Sequence, residues 1–187
     1  MSLPSPSTVR AAEAEAPAEP EPAHLQLSIS VEGGDWSSIA GLEAAIRSAA
    51  SALVRHPGAR GARRHEASIV LGNDALLRRL NATYRGKDVP TNVLSFPFRP
   101  RASADQEEDR YLGDVVLAAE TVAREAAEGR LEPIHHVQHL VVHGLLHLLG
   151  YDHVTEPQAA EMERLETEIL TGLGLKDPYA LELPSEH

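Results

Sequence analysis

Three histidines in the carboxyl-terminal third of the chain have the spacing of metal ligands. His143 and His147 are four residues apart, so on a helix both side chains lie on the same face, one turn apart. Gly150 follows three residues later, and a residue that tolerates positive φ can end the helix and reverse the chain. His153 can then return as a third ligand. Three neutral imidazoles that leave one coordination position open are typical of catalytic zinc.

The residue between the first two ligands bears on the reaction. The spacing H-x-x-x-H-x-x-G-x-x-H occurs in metzincin peptidases, whose general base is a glutamate directly after the first histidine. This chain has Gly144 there, so we expect hydrolysis of a bond other than a peptide, although a glutamate introduced at this position should leave metal binding intact. Three neutral ligands keep the full charge of the ion, which favours an anionic substrate such as a phosphodiester. His139 is expected to support the site, and His135 and His136 to lie on the helix surface.

Composition limits the ligands, the location and the partners. The chain has no cysteine, so a metal must be held by His, Asp or Glu. Neither a long apolar span nor a signal peptide is evident, and we expect a cytoplasmic protein without membrane contact. The net charge of −11 argues against indiscriminate adhesion to nucleic acid. Residues 55–110 are nevertheless net basic, and their richest stretch, from Arg55 to His65, is either a phosphate contact or a solvated loop.

The elements that position the histidines follow from local patterns. Period-two alternation and short apolar runs predict strands at Leu25–Val31, Ala67–Leu71, Asn92–Phe96 and Asp114–Leu117. A first helix is predicted from Trp36 to Val54 after an Asp35 cap, and a second from an Asn73 cap through Leu80. A third, after the last strand, ends near Gly129, and a fourth runs from Pro133 to about Leu149. The fifth starts at Pro157, with Thr155 and Gln158 as a capping box. This order predicts the α+β class: a small mixed β-sheet of about four strands with helices packed on it, and the metal site at the end of a long helix.

Three regions are expected along the chain. Residues 1–24 consist of Ala, Pro, Glu and Ser with almost no large apolar side chain, which predicts a disordered acidic tail. Residues 25–175 have the length and patterning of a single catalytic domain. Residues 176–187 are left as a C-terminal extension.

Three blocks of the sequence resemble one known family. The segment from His143 to His153 reads H-G-x-L-H-x-x-G-Y-D-H and resembles the signature of the YbeY family of ribosomal RNA maturation endoribonucleases. The block LNATYRGKDVPTNVLSFP (80–97) resembles that family's other motif, and the block beginning Leu112-Gly-Asp114 resembles the strand that follows it. The blocks occur in the family's order and span roughly residues 70–170.

The resemblance implies a metal-dependent endoribonuclease that cuts single-stranded RNA in ribosomal RNA maturation and ribosome quality control. It implies one divalent ion, Zn²⁺, held by His143, His147 and His153, and it assigns a catalytic role to Arg85. Its expected partners are a ribosomal RNA precursor and the small ribosomal subunit or assembly factors. From its chemistry alone, Arg85 is either a two-pronged donor to a phosphate or a surface arginine in a turn.

Several alternatives stay open at this point. A ribosome-binding assembly factor with a structural metal and weak or no cleavage fits the same motifs, and a metzincin-spaced metallopeptidase fits the histidines but lacks the base. The nucleophile is either water or the RNA 2′-hydroxyl. Asp114 and Asp152 either orient a ligand or make only local hydrogen bonds.

Overall fold

The computed structural model describes residues 25–59, 65–99 and 111–180. The predicted acidic tail, the last seven residues of the predicted C-terminal extension and three arginines of the basic stretch (Arg60, Arg63, Arg64) lie outside these ranges. None of the helices in the described ranges is long and apolar enough to cross a membrane.

The described chain forms four strands and five helices, which confirms the predicted α+β class. The strands are β1 (Leu25–Val31), β2 (His65–Gly72), β3 (Val93–Pro97) and β4 (Tyr111–Ala118). The helices are α1 (Leu42–Arg55), α2 (Asp74–Arg85), α3 (Ala119–Glu128), α4 (Pro133–Leu148) and α5 (Glu156–Gly172).

The four strands make one mixed sheet in the order β1-β2-β4-β3. The first three are parallel, and β3 runs antiparallel to β4 at the edge. Alternate side chains of a strand point to opposite faces, and both faces are covered. Val115 and Leu117 belong to the large core shared with α1, α4 and α5, whereas Val116 and Ala118 belong to a smaller cluster that includes Leu77 of α2. Helices α4 and α2 therefore lie on opposite faces of the sheet.

Most of the predicted helix ends are confirmed. The Asn73 side chain accepts a hydrogen bond from the Leu76 amide at 2.8 Å, as an N-cap does. Thr155 and Gln158 form the predicted capping box before α5. Gly150 has a φ of 91° just after α4, the left-handed conformation that the chain reversal requires.

The predicted start of the first helix is wrong. Helix α1 begins at Leu42, not Trp36, because Asp35 caps no helix and instead accepts hydrogen bonds from the Ser37 amide and hydroxyl. Such local side-chain bonds compete with the helical hydrogen-bond pattern. The Trp36 ring is buried, and its indole N–H is within 3.0 Å of the carbonyls of both Gly33 and Gly72, which ties the loop to the sheet.

Gly144 sets how closely α4 approaches the sheet. A Cβ at this position would lie 2.5 Å from Cγ1 of Val115, far inside van der Waals contact. On β3, the Ser95 hydroxyl donates to the Gly144 carbonyl at 3.1 Å. A glutamate at position 144 would meet the same contact with Val115, so either Val115 or α4 must shift to admit it. The expectation that metal binding survives this change stays a prediction.

We expect Gly144→Ala to lower the free energy of unfolding by about 1–3 kcal/mol, the cost of overpacking a tight core. Gly172→Ala is the matched control, since a Cβ at that helical position meets nothing within 4 Å. Chemical denaturation of both variants measures the difference. Equal stability of Gly144→Ala and the parent protein would show that the approach of α4 to β4 is not limited by this residue.

Candidate metal centre

The three predicted ligands converge at the end of α4. His143 and His147 occupy its last two turns, and the reversal after Leu148 returns His153 to them. One ring nitrogen from each histidine lies within 4.8 Å of the other two, so a single ion can be reached by all three. His143 and His147 are half-buried and His153 is exposed, so the cluster opens to solvent on the side of His153. We call these residues the three-histidine cluster.

Hydrogen bonds fix which ring nitrogens face the centre. His143 Nδ1 lies 2.8 Å from Oε1 of Glu166, and His147 Nδ1 lies 3.0 Å from the carbonyl oxygen of Tyr151. A carbonyl and an ionised carboxylate only accept hydrogen bonds, so both Nδ1 atoms carry the proton and both Nε2 atoms keep a lone pair.

The two lone pairs face each other, with His143 Nε2 and His147 Nε2 only 3.1 Å apart. Two neutral imidazoles at this distance repel unless they share a cation. Burial, together with His143 and His153, lowers the pKa of His147 and so favours its neutral, metal-binding form. The donor set therefore fits a divalent metal ion.

Sequence reasoning missed Glu166, the residue that supports the cluster from behind. Its carboxylate lies on α5 with no exposed surface, and it accepts from His143 Nδ1, from His139 Nε2 at 2.9 Å and from the Tyr179 hydroxyl. Burial raises the pKa of Glu166, but these hydrogen bonds prevail and lower it to about 2, so the carboxylate is ionised. A signal was present, because Glu166 interrupts the apolar stripe of α5.

The other histidines of α4 divide between support and packing. His139 is absent from the metal group and bonds Glu166, as expected for a supporting residue. His135 is exposed as predicted. The prediction for His136 is wrong: its side chain is only 10% exposed, and its Nε2 lies 2.8 Å from Glu125 because α3 packs against the start of α4.

The structure does not join Arg85 to the three-histidine cluster by any hydrogen bond. Arg85 ends α2, on the helix that covers the opposite face of the sheet, and its side chain is exposed. Its guanidinium makes no hydrogen bond or ion pair within residues 25–59, 65–99 and 111–180. Both aspartates make local bonds: Asp152 accepts from the His153 amide and Asp114 from the Tyr111 hydroxyl.

A family model and several curated relatives of this chain carry the same description. The family model described as Endoribonuclease YbeY matches residues 36–174. The Endoribonuclease YbeY of Parvibaculum lavamentivorans is 46% identical over 161 residues, covering 83% of this chain and 85% of that protein. The one of Allorhizobium ampelinum is 53% identical over 119 residues, covering 64% and 71%, and the one of a Chelativorans species is 46% identical over 151 residues, covering 81% and 91%. A solution structure from Thermotoga maritima matches 88% of this chain and all of that chain at 20% identity, with a TM-score of 0.49.

We expect His143→Ala, His147→Ala and His153→Ala each to lose most of the bound metal, because two imidazoles hold a divalent ion far less well than three. His139→Ala should retain it, since that ring reaches the site only through Glu166. Elemental analysis of the purified variants measures the metal content. Full occupancy in any of the first three would remove that residue from the ligand set.

Glu166→Gln should weaken metal binding by about 10–100-fold, the usual cost of losing a partner that orients a ligand. The amide cannot supply the negative charge that the three donors share. Glu161→Gln is the control, because Glu161 is an exposed carboxylate on the same helix. Competition with a zinc chelator gives both affinities, and circular dichroism checks the fold. An intact fold with undiminished affinity would reduce Glu166 to a packing role.

Proposed function

This chain belongs to the YbeY family of endoribonucleases and is therefore a hydrolase that acts on RNA, and we propose that its three-histidine cluster holds the divalent ion, Zn²⁺, on which cleavage depends. The substrate is single-stranded RNA of a ribosomal precursor, and cleavage serves ribosomal RNA maturation and ribosome quality control in the cytoplasm. The observation that supports this most directly is the pair of imidazole lone pairs facing each other at 3.1 Å.

The donor set of the cluster supports an anionic substrate. When bound, the ion supplies a positive charge that polarises a phosphoryl oxygen or activates water. Three neutral imidazoles leave that charge uncompensated, which suits the phosphodiester backbone. Glu166, the ionised carboxylate behind the cluster, is fully buried, and its oxygens accept hydrogen bonds from His139, His143 and Tyr179. It orients a ligand and is closed to substrate.

The site's acid–base groups limit how the nucleophile is generated. In the described ranges the group of possible ligands contains imidazoles alone, and Gly144 packs on Val115 where a peptidase has its glutamate. Three imidazole ligands leave a coordination position open for water, so we propose attack by water rather than by the RNA 2′-hydroxyl. A strand with 2′-deoxyribose at the cleavage site is then still cut, whereas attack by the 2′-hydroxyl would make that strand resistant.

Arg85 is the proposed phosphate-binding residue. Its exposed guanidinium has no described acidic partner, so all its donors are available to a phosphate. Because α2 and α4 lie on opposite faces of the sheet, Arg85 acts on an RNA strand that passes around the edge strand β3. The net charge of −11 limits the number of phosphate contacts, so the small ribosomal subunit or assembly factors deliver the RNA.

The function is tested by incubating the metal-loaded protein with labelled single-stranded RNA, the same RNA in a duplex, and an unstructured protein. We expect cleavage of the single strand only, and none by His147→Ala. Metal binding without any RNA cleavage would favour an assembly factor with a structural metal. Proteolysis would favour the peptidase that the histidine spacing also allows.

In the same assay Arg85→Ala should lower cleavage by about 10–100-fold while keeping metal and fold, the scale of losing hydrogen bonds between charged groups. Arg85→Lys should recover only part, because lysine keeps the charge but not the two-pronged geometry. Arg47→Ala is the control, since Arg47 is an exposed arginine of α1 that pairs with Glu43. Full activity of Arg85→Ala would remove this residue from the site.

A further inference from the structure

A second concave surface lies on the face of the sheet opposite the three-histidine cluster. It is a groove of about 510 Å³ between α2, β3 and the start of β4. The whole chain has four Tyr, two Phe and one Trp, and four of these seven aromatic residues line this groove. They are Tyr84, Phe96, Phe98 and Tyr111, and we call the surface the aromatic groove.

The aromatic rings are held in two edge-to-face pairs. The ring centroids of Tyr84 and Phe96 are 5.0 Å apart, and those of Phe98 and Tyr111 are 5.7 Å apart. Tyr84 is 68% exposed and Phe98 is 41% exposed, so both pairs present ring surface to solvent. No described segment of the chain covers these rings, although the small cluster below them is packed. Exposed aromatic rings on a fixed scaffold are the usual platform on which unpaired nucleobases stack.

Two arginines accompany the rings of the aromatic groove. Arg99 lines the groove, and Arg85 directly follows Tyr84 on α2; neither pairs with an acidic residue in the described ranges. Arg78 on the same helix is, by contrast, bound to Asp88 through two hydrogen bonds.

The groove also contains two carboxylates. Glu32 and Asp114 line it, and Asp114 already accepts from the Tyr111 hydroxyl at 2.7 Å. Carboxylates repel phosphate but accept hydrogen bonds from the amino groups of bases. The rings and carboxylates offer contacts to bases, and the two arginines, which have no acidic partner among the described residues, offer contacts to phosphates. The groove therefore fits a single strand of RNA. An apolar peptide would leave both charge types without partners.

We propose that the aromatic groove binds unpaired bases of the single-stranded RNA substrate, next to the bond that is cut; this inference rests on the proposed function. The edge strand β3 connects the two sites. Ser95 bonds the Gly144 carbonyl on the histidine side, and its neighbour Phe96 lies in the groove on the other side. An RNA strand with bases in the groove reaches the three-histidine cluster by passing around one strand. Base stacking, rather than metal binding, then supplies most of the affinity for RNA.

The test compares RNA binding by Tyr84→Ala/Phe98→Ala with binding by the parent protein. Both side chains are exposed, so their truncation spares the core, and Leu131→Ala, at 45% exposure, is the matched control. The parent, the double variant and Leu131→Ala all carry the additional change His147→Ala in this experiment, so that the RNA stays uncut. Fluorescence anisotropy at low salt measures affinity for a short labelled single-stranded RNA and for the same backbone with abasic sites. We expect the double variant and the abasic strand each to lower affinity by about tenfold or more, and Leu131→Ala to leave it unchanged.

Equal affinity of the double variant and the parent overturns the proposal, as does equal affinity of the parent for intact and abasic strands. Failure of the parent to bind single-stranded RNA also overturns it. Cleavage by metal-loaded protein with an intact His147 is measured separately. If binding depends on the bases but no RNA is cleaved, the proposal for the aromatic groove holds and the proposed function is rejected. If RNA is cleaved equally well without the Tyr84 and Phe98 side chains, only the proposal for the groove is rejected.

Discussion

The carboxylate of Glu166 connects parts of the chain that are far apart in sequence. It lies on α5 and accepts hydrogen bonds from His139 and His143 on α4 and from Tyr179 after α5. Burying an ionised carboxylate is costly unless donors replace its lost water. Three donors do so here, and they lower its pKa to about 2 despite full burial. The same bonds fix the proton of His143 on Nδ1 and leave Nε2 free for the metal, so stability of the fold and competence of the site depend on one interaction.

The structural features that depend on residues close together in the chain could be predicted from the sequence. The convergence of His143, His147 and His153 follows from their spacing, from helix geometry and from one glycine. The caps at Asn73 and Thr155 are local hydrogen bonds. The fold class followed in the same way from periodicity. These features need no knowledge of which elements touch.

What depends on contacts between distant residues could not be predicted in this way. Gly144 was interpreted as a missing base, but its second role, the close approach to Val115, belongs to the packing of α4 on β4. Glu166 acquires its function only when α5 brings it behind α4. The predicted start of α1 was wrong. Periodicity favoured a helix from Trp36, but the hydrogen bonds of the Trp36 indole to Gly33 and Gly72 hold this segment as a loop. The proposed role of Arg85 rests on the family resemblance, because no local sequence pattern links this residue to the histidines.

The position of Tyr179 has a consequence for how the protein is made. A growing chain emerges from its amino-terminal end, so the histidines at 143–153 appear before Glu166 and Tyr179. During that interval the Nδ1 proton of His143 lacks its carboxylate, and once α5 has emerged the buried charge still lacks its hydroxyl donor. The hydrogen bonds around the cluster are complete only after residue 179 has been synthesised. A hydrolase of RNA built in this way acquires its fully oriented ligands only after α5 and Tyr179 have joined the histidines of α4.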